Sequence, residues 1–326
     1  MAVSELTTLH MRLRDPDAGV RRVAVIDLPY SDEIDDVGPL LTLALADESA
    51  LVRLEAAKAL EGFEEIEVLQ ALVPLLKDSD AEVRAAVAYT LAELKQPASA
   101  VPILPYLKDA DPEVKAAALH AVRALRVIEA FEPAMLALTD DIAAVRKEAV
   151  GVLGYLKKPQ SISALTQIAA NDPEPEVRRV AVGALGFATA SADISVHPAL
   201  SRAIQDSAWQ VREEAATTFA KTRSVLGVPD LIRAMDDEYW QVRVKAARSL
   251  GKLKARAGVQ ALSLASTHEM SNLRKESVIA LGELGDVRAI PALERALRDN
   301  DPDVRKLAKL ALTSIQMVAT SMEVMP

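Results

Sequence analysis

Few side chains in this 326-residue sequence have the type and spacing that catalysis or metal binding requires. There is no cysteine, which excludes disulfides, thiolate metal sites and cysteine nucleophiles. Glycine-rich phosphate loops, His-Glu-x-x-His and Gly-x-Ser-x-Gly are absent as well. Of the four histidines only His268 is followed by glutamate, and carboxylate pairs such as Asp140-Asp141 fall in polar links. We therefore expect no catalytic residue, no bound metal and no cofactor.

Aromatic side chains make up 3% of the sequence and are unevenly placed. Four rings fall at related positions of consecutive segments, with two glycines between them: Tyr89, His120, Tyr155 and Phe187, with Gly151 and Gly183. We expect the rings to face one another, the glycines to open a hollow, and the surface to grip a partner protein. Two alternatives stay open, namely rings that only fill grooves between helices and a small-molecule or tetrapyrrole pocket.

A second candidate surface is basic. Six cations lie close together in the later part of the chain: Lys221, Arg223, Arg248, Lys252, Lys254 and Arg256. The whole chain carries a formal charge of −9, which argues against a nucleic-acid-binding protein. The cluster is therefore predicted to meet an acidic region of a partner protein, and the alternative is an ordinary solvated rim.

An internal repeat must position these residues. The pattern Asp-x-x-x-x-Val-Arg recurs every 31 to 34 residues, which indicates a repeat architecture. The Val position is occupied by Val20, Val52, Val83, Val114, Val145, Val177, Val211, Val242, Leu273 and Val304. A base always follows it, and aspartate stands five residues before it in nine of ten repeats, with His268 in the other. We name these columns the ladder bases and ladder aspartates.

The ladder is predicted to be structural. A carboxylate near the start of a helix satisfies free backbone N–H groups, so each ladder aspartate is expected to cap the helix that follows. The neighbouring base is expected to bond carboxylates or carbonyls of the adjacent repeat. Charges repeated this regularly describe the framework of a fold and not an active site.

Each repeat reads as two helices. Stretches after the Val, such as VRAAVAYTLAEL, carry apolar residues at helical spacing, and we call these the B helices. Stretches before the aspartate, such as VPILPYLKD, are read as A helices, several with proline near their start. The prediction is an all-α solenoid with no β-sheet, a single domain over residues 1–316, and a frayed tail over 317–326.

The B helices are expected to line a concave, partner-binding side. Their exposed positions should fall 2, 3, 6 and 10 residues after the ladder Val, which includes Tyr89, His120 and Tyr155. No run approaches the roughly 20 apolar residues of a membrane span, and the first residues do not resemble a secretion signal. We therefore expect a cytoplasmic protein that does not enter membranes.

Several segments resemble HEAT repeats, among them DPEVKAAALHAV, DSAWQVREEAATTFA and DPDVRKLAKLAL. More narrowly, they are similar to the short repeats named after phycobilisome lyases, from about Ser4 to Gln316. That resemblance implies a family of bilin lyase subunits, phycobilisome-degradation factors, adaptors and assembly factors. Deoxyhypusine hydroxylases resemble the repeat too, but they bind two irons through His-Glu pairs in several repeats, whereas only His268-Glu269 occurs here.

The favoured function is a non-enzymatic protein-interaction role, as a scaffold, an adaptor or a client-specific assembly or maturation factor. The alternative is a bilin lyase subunit or a related tetrapyrrole-handling protein. A metal-dependent hydroxylase of the deoxyhypusine type is the least favoured hypothesis. The identity of the partner and the oligomeric state do not follow from the residues.

Overall fold

A computed structural model describes the backbone of residues 5–31, 37–188 and 193–323, and the side chains of 8–31, 37–188 and 195–316. All regular secondary structure in these ranges is helical, as predicted. No helix among the described residues has both the length and the hydropathy needed to cross a membrane. Residues 317–326, predicted to form a tail, lie outside the described side chains, and the last helix runs to Glu323.

The chain divides into two compact units, residues 1–156 and 157–326. The first contains α1 Glu5–Arg12, α2 Ala18–Asp27, α3 Gly38–Ala44, α4 Ala50–Ala59, α5 Ile66–Leu72, α6 Ala81–Ala92, α7 Pro112–Arg123, α8 Phe131–Ala137 and α9 Ala143–Leu156. The second contains α10 Ile162–Asn171, α11 Pro175–Ala184, α12 Asp193–Ala203, α13 Trp209–Thr222, α14 Val228–Ala234, α15 Trp240–Lys252, α16 Val259–Ala265, α17 Ser271–Leu284, α18 Ile290–Ala296 and α19 Pro302–Glu323. Within each unit, every B helix packs against the B helix of the next repeat.

The fourth repeat has no α-helical A segment, so the prediction for VPILPYLKD is wrong. Two 3-10 turns, Pro97–Ala100 and Leu104–Lys108, take its place. The backbone N–H of Tyr106 donates to the carbonyl of Ile103, an i to i+3 bond. Pro102 and Pro105 explain the change, because prolines three residues apart each remove a donor and obstruct the preceding turn.

Small and β-branched side chains make the core that joins successive B helices. Nine of the ten residues at the ladder Val position are at most 1% exposed; Val20 of the first repeat is half-buried. Four residues later, a fully buried alanine recurs in eight repeats: Ala24, Ala56, Ala118, Ala149, Ala181, Ala215, Ala246 and Ala308. Alanine at this crossing brings the helix backbones close together, which explains why few aromatic residues are needed in the interior.

The ladder aspartates close the turns rather than capping the helices directly. The Oδ1 of Asp78 accepts the N–H of Asp80 at 2.9 Å, and Asp80 in turn caps α6 by accepting from Glu82 and Val83. Before α7, Asp109 likewise accepts the N–H of Asp111, and Asp111 caps the helix by accepting the N–H of Glu113. In these two repeats the predicted capping role therefore belongs to the residue two positions further on, whereas Ala208 and Tyr239 hold that position elsewhere without a side-chain cap bond.

Five of the ladder arginines tie their own turn to the next. Arg53 donates through Nε and Nη2 to the carboxylate of Asp78, both at 2.7 Å. Its Nη1 donates at 2.9 Å to the carbonyl of Asp47, in its own turn and not in the adjacent repeat. Paired ladder bonds of this kind also join Arg21 to Asp47, Arg178 to Asp206, Arg212 to Asp237 and Arg274 to Asp299.

Candidate protein-interaction surfaces

Tyr89 and Tyr155 lie on the outward side of α6 and α9. Their exposed fractions are 59% and 42%, which are high for tyrosine in a folded protein. The prediction that the B helices expose these positions is therefore met for these two rings. Phe187 belongs to the second unit, where it is half-buried in the 3-10 turn Leu185–Phe187.

His120 is engaged in a bond rather than presented as a free ring. Its Nδ1 lies 2.9 Å from Oε2 of Glu148, whose side chain is buried, and Arg123 donates to the same oxygen at 3.2 Å. Burial raises the pKa of the Glu148 carboxyl, but the bonds to His120 and the nearby cations outweigh it and hold this pKa below its ordinary value. His120 therefore helps to compensate a buried charge.

The glycines do not open a hollow. A Cβ at Gly151 would come within 2.8 Å of Cδ of Arg123, so the side chain of Arg123 occupies that space. At Gly183 the carboxylate of Glu214 fills the corresponding place at 2.9 Å. The expectation of an aromatic hollow is therefore wrong at both positions, because long charged side chains of neighbouring helices cover the glycines.

Arginine surrounds Tyr155 in the first unit. The guanidinium carbons of Arg123 and Arg126 each lie 5.7 Å from the centre of the Tyr155 ring, within the range of cation–π attraction. Arg126 is exposed and has a positive φ of 55° just after α7. The surface near Tyr155 is thus mixed aromatic and basic, a combination that the sequence pattern did not single out.

Two of the six predicted basic-cluster residues are paired with acids. Arg248 donates to both oxygens of Glu276 at 2.7 and 2.6 Å, and Lys221 contacts Glu214 at 2.9 Å. The other four side chains are exposed and form no ion pair with any described residue: Arg223, Lys252, Lys254 and Arg256. Arg223 and Lys254 have φ values of 56° and 50°, immediately beyond α13 and α15.

A groove of about 610 Å³ crosses the exposed face of α15, α17 and α19. Apolar side chains line it together with charged ones, and the apolar members are Trp240, Val244, Ile279, Leu307 and Leu310. Except for Trp240, these residues stand 2, 3 or 6 places after their ladder residue, at positions predicted to be exposed. The spacing that predicts exposed positions on the B helices therefore also accounts for the lining of this groove.

Charged side chains border the same groove. Arg248 is paired with Glu276, and Lys275 lies 2.9 Å from Asp301 and 3.0 Å from Asp303. Lys306 is exposed and has no ion-pair partner among the described residues. The groove thus combines an apolar interior with a border that carries both signs of charge.

The described side chains offer no metal centre. Among them no group of three or more His, Cys, Asp or Glu residues is arranged to hold a metal ion. Nδ1 of His268 accepts the backbone N–H of Met270, its Nε2 lies 3.1 Å from Nη1 of Arg243, and the neighbouring Glu269 lies on an exposed turn. The His-Glu pair therefore has no further ligands near it in this part of the chain.

The sequence matches the family model of HEAT repeats over residues 6–91, 37–123, 100–186, 162–238 and 228–313. A comparison with curated proteins gave no match. The narrower similarity to the phycobilisome-lyase type of repeat stays a prediction.

Solved structures share the helical repeat architecture. An engineered protein aligns with a TM-score of 0.54 and 20% identity, covering 96% of this chain and 99% of that one. The Escherichia coli protein YibA aligns at 0.53 and 19%, covering 97% and 98%. A chain from the complex of Kap95p with RanGDP aligns at 0.63 and 16%, covering 96% of this chain and 50% of that one. At these identities the likeness concerns the fold alone.

Proposed function

Because the chain belongs to the family of HEAT-repeat proteins, we propose that it works without catalysis, by holding a partner protein on the exposed face of its B helices. A scaffold, an adaptor or a client-specific assembly factor would each use such a surface. The repeat supports this function because it stacks many short helices side by side and leaves one row of side chains of every B helix open to a partner.

The groove over α15, α17 and α19 is the observation that carries the proposal. Leu310 is 59% exposed at one side of it, and Ile279 and Val244 form apolar lining on the neighbouring helices. An amphipathic helix of a partner would bury its apolar stripe here and set its polar residues against the charged border. Burial of apolar surface supplies the affinity, at about 25 cal/mol per Å² before the costs of association.

The surfaces predicted from the sequence extend the same proposal. Tyr89 and Tyr155, with His120 between them in the chain, would offer contacts in the first unit, and Phe187 would add one in the second. The unpaired members of the basic cluster would favour an acidic partner and speed its association.

The substitution Leu310→Glu tests the groove. It places a charge where the partner's apolar residues would pack, so we expect affinity for a partner captured from the native cell to fall about tenfold or more. Leu136→Glu is the matched control, because Leu136 is 67% exposed on the A helix α8 and not on a B helix. The double variant Tyr155→Ala with Phe187→Ala tests the aromatic positions by the same affinity measurement. Its thermal unfolding is expected to stay near that of the unaltered protein.

The comparison between the two leucine variants decides the outcome. Loss of binding with Leu310→Glu and full binding with Leu136→Glu would support the B-helix groove. Equal binding by both variants, or equal loss accompanied by unfolding, would contradict it.

A further inference from the structure

The turn at His268 lacks one of the two acceptors that a ladder aspartate provides. In the preceding repeat, Oδ1 of Asp237 accepts the N–H of Tyr239 at 2.9 Å, and Oδ2 accepts Nε of Arg212 at 2.7 Å. At His268, Nδ1 takes over the first bond, accepting the N–H of Met270 at 3.0 Å. The second bond is missing, and Nε of Arg243 is buried without a hydrogen-bond partner.

The remaining contact between the two side chains is also poor. A neutral imidazole carries one proton, and the bond from Met270 makes Nδ1 the acceptor, so that proton is on Nε2. Nε2 lies 3.1 Å from Nη1 of Arg243, which always carries protons. Two donors therefore face each other, and a third, Nε of Arg243, is unused nearby. Buried donors in this state cost free energy until an acceptor reaches them.

A cavity of about 430 Å³ has Arg243 and His268 both in its wall. Apolar residues form much of the remainder: Ile232, Met235, Ala257, Ala261, Leu264, Ala265 and Leu273. The cavity shares no lining residue with the groove over α15, α17 and α19. Ligand binding here and partner binding there can therefore succeed or fail separately.

We propose that this cavity binds a carboxylate, which takes the place of the missing ladder aspartate. One carboxylate oxygen accepts from Nε of Arg243 and the other from Nη2 of the same guanidinium, the two donors that Arg212 presents to Asp237. Arginine is suited to this because its planar fork matches the two oxygens of a carboxylate. The apolar wall accommodates the aliphatic chain that carries the acid.

Asp236 restricts the ligand to a single negative charge. Its exposed carboxylate also lines the cavity, and it forms no ion pair with Arg243 in the described structure. A second negative charge on the ligand would be repelled by this carboxylate in the wall of the same cavity and be disfavoured. A monocarboxylic acid, or one acidic side chain of a peptide, fits better than phosphate or a dicarboxylate.

The site is tested by titrating sodium butyrate into the full chain. Binding is followed by NMR, through the side-chain Nε–H resonance of Arg243. In the unaltered protein we expect a saturable change in the chemical shift of this resonance at millimolar butyrate. Sodium chloride or phosphate at equal ionic strength should cause no change. In His268→Asp the new carboxylate completes the ladder, so butyrate should leave the resonance unmoved and the melting temperature should rise. Arg243→Gln should likewise remove the stabilisation of the protein by butyrate, measured by thermal unfolding.

Two model compounds identify the source of the carboxylate. Acetyl-glutamyl amide carries the carboxylate on a side chain, and acetylglycine carries it on a chain terminus. The compound that binds more tightly indicates the natural form of the ligand. Absence of a butyrate effect in the unaltered protein would overturn the proposal. So would an equal effect in His268→Asp, or the same movement produced by chloride.

Discussion

Single residue pairs determine how strongly neighbouring turns are held together. Arg53 and Asp78 share two hydrogen bonds, and both side chains are largely shielded from water. The bond to Arg53 is the main reason that the pKa of Asp78 lies below its ordinary value. Such a pair differs from an exposed ion pair, because loss of one partner leaves the other with unmet hydrogen bonds away from solvent.

The substitution Asp78→Asn should therefore lower the free energy of unfolding by about 1–3 kcal/mol. The asparagine oxygen can still accept from Asp80, but the amide nitrogen faces Nε of Arg53, so a bond is replaced by two opposed donors. Glu48→Gln is the control, since Glu48 is 85% exposed beside Arg21 and its loss should cost less than about 0.5 kcal/mol. Urea unfolding measures the free energy of unfolding of both variants. A similar decrease in both would show that the ladder pair stabilises the fold no more than an exposed ion pair does.

At the scale of helices, the distance between successive B helices depends on residues with little or no side chain. A Cβ at Gly251 of α15 would approach the Cα of Ala280 in α17 to 2.9 Å. Backbone atoms cannot move aside without displacing the whole helix. At Gly151 of α9, in contrast, the nearest atom is Cδ of Arg123, part of a flexible side chain.

Alanine at these two glycines should consequently have opposite effects. Gly251→Ala should destabilise the protein by about 1–3 kcal/mol through overpacking between α15 and α17. Gly151→Ala should be neutral or stabilising by up to about 1 kcal/mol, because alanine favours the helix and Arg123 can shift. Thermal unfolding measures both, and a destabilised Gly151→Ala variant would mean that Arg123 is fixed in place by Glu148 and Tyr155.

At the scale of the whole molecule, the ladder pairs together make the free energy of unfolding depend on pH. Bonds to arginine lower the pKa of Asp47, Asp78 and Asp299 in the folded chain. A group with a lowered folded pKa stabilises the fold fully above its unfolded pKa of about 3.9, and the contribution is lost as the pH falls through the folded value.

We therefore expect the free energy of unfolding to be nearly constant in weakly acidic solution and to drop steeply below about pH 4. Denaturant unfolding at a series of pH values measures this. Asp78→Asn removes one of the titrating groups, so its curve should fall less steeply in the same range. A curve with the slope of the unaltered protein would contradict the role assigned to Asp78.

The sequence pattern was sufficient for the helical repeat and its register, because one buried Val per repeat and a fixed spacing determine both. It was not sufficient for the A segment of the fourth repeat, where Pro102 and Pro105 override apolar periodicity. The exposed positions on the B helices also followed from spacing. The bond between His120 and Glu148 could not be predicted from spacing, because it depends on how far one helix is rotated against the next. The unused donor on Arg243 could not be predicted either.

The carboxylate that pairs with Arg53, Arg178 or Arg212 lies in the following turn, 25 to 28 residues on. A duplicated repeat would therefore bring its own donor and its own acceptor, and the inserted copy would leave no charge unmatched at the seam. On these electrostatic grounds we expect the fold to accept duplication or deletion of a whole unit more readily than insertion of half a unit. The length of such a chain can therefore change in steps of one repeat.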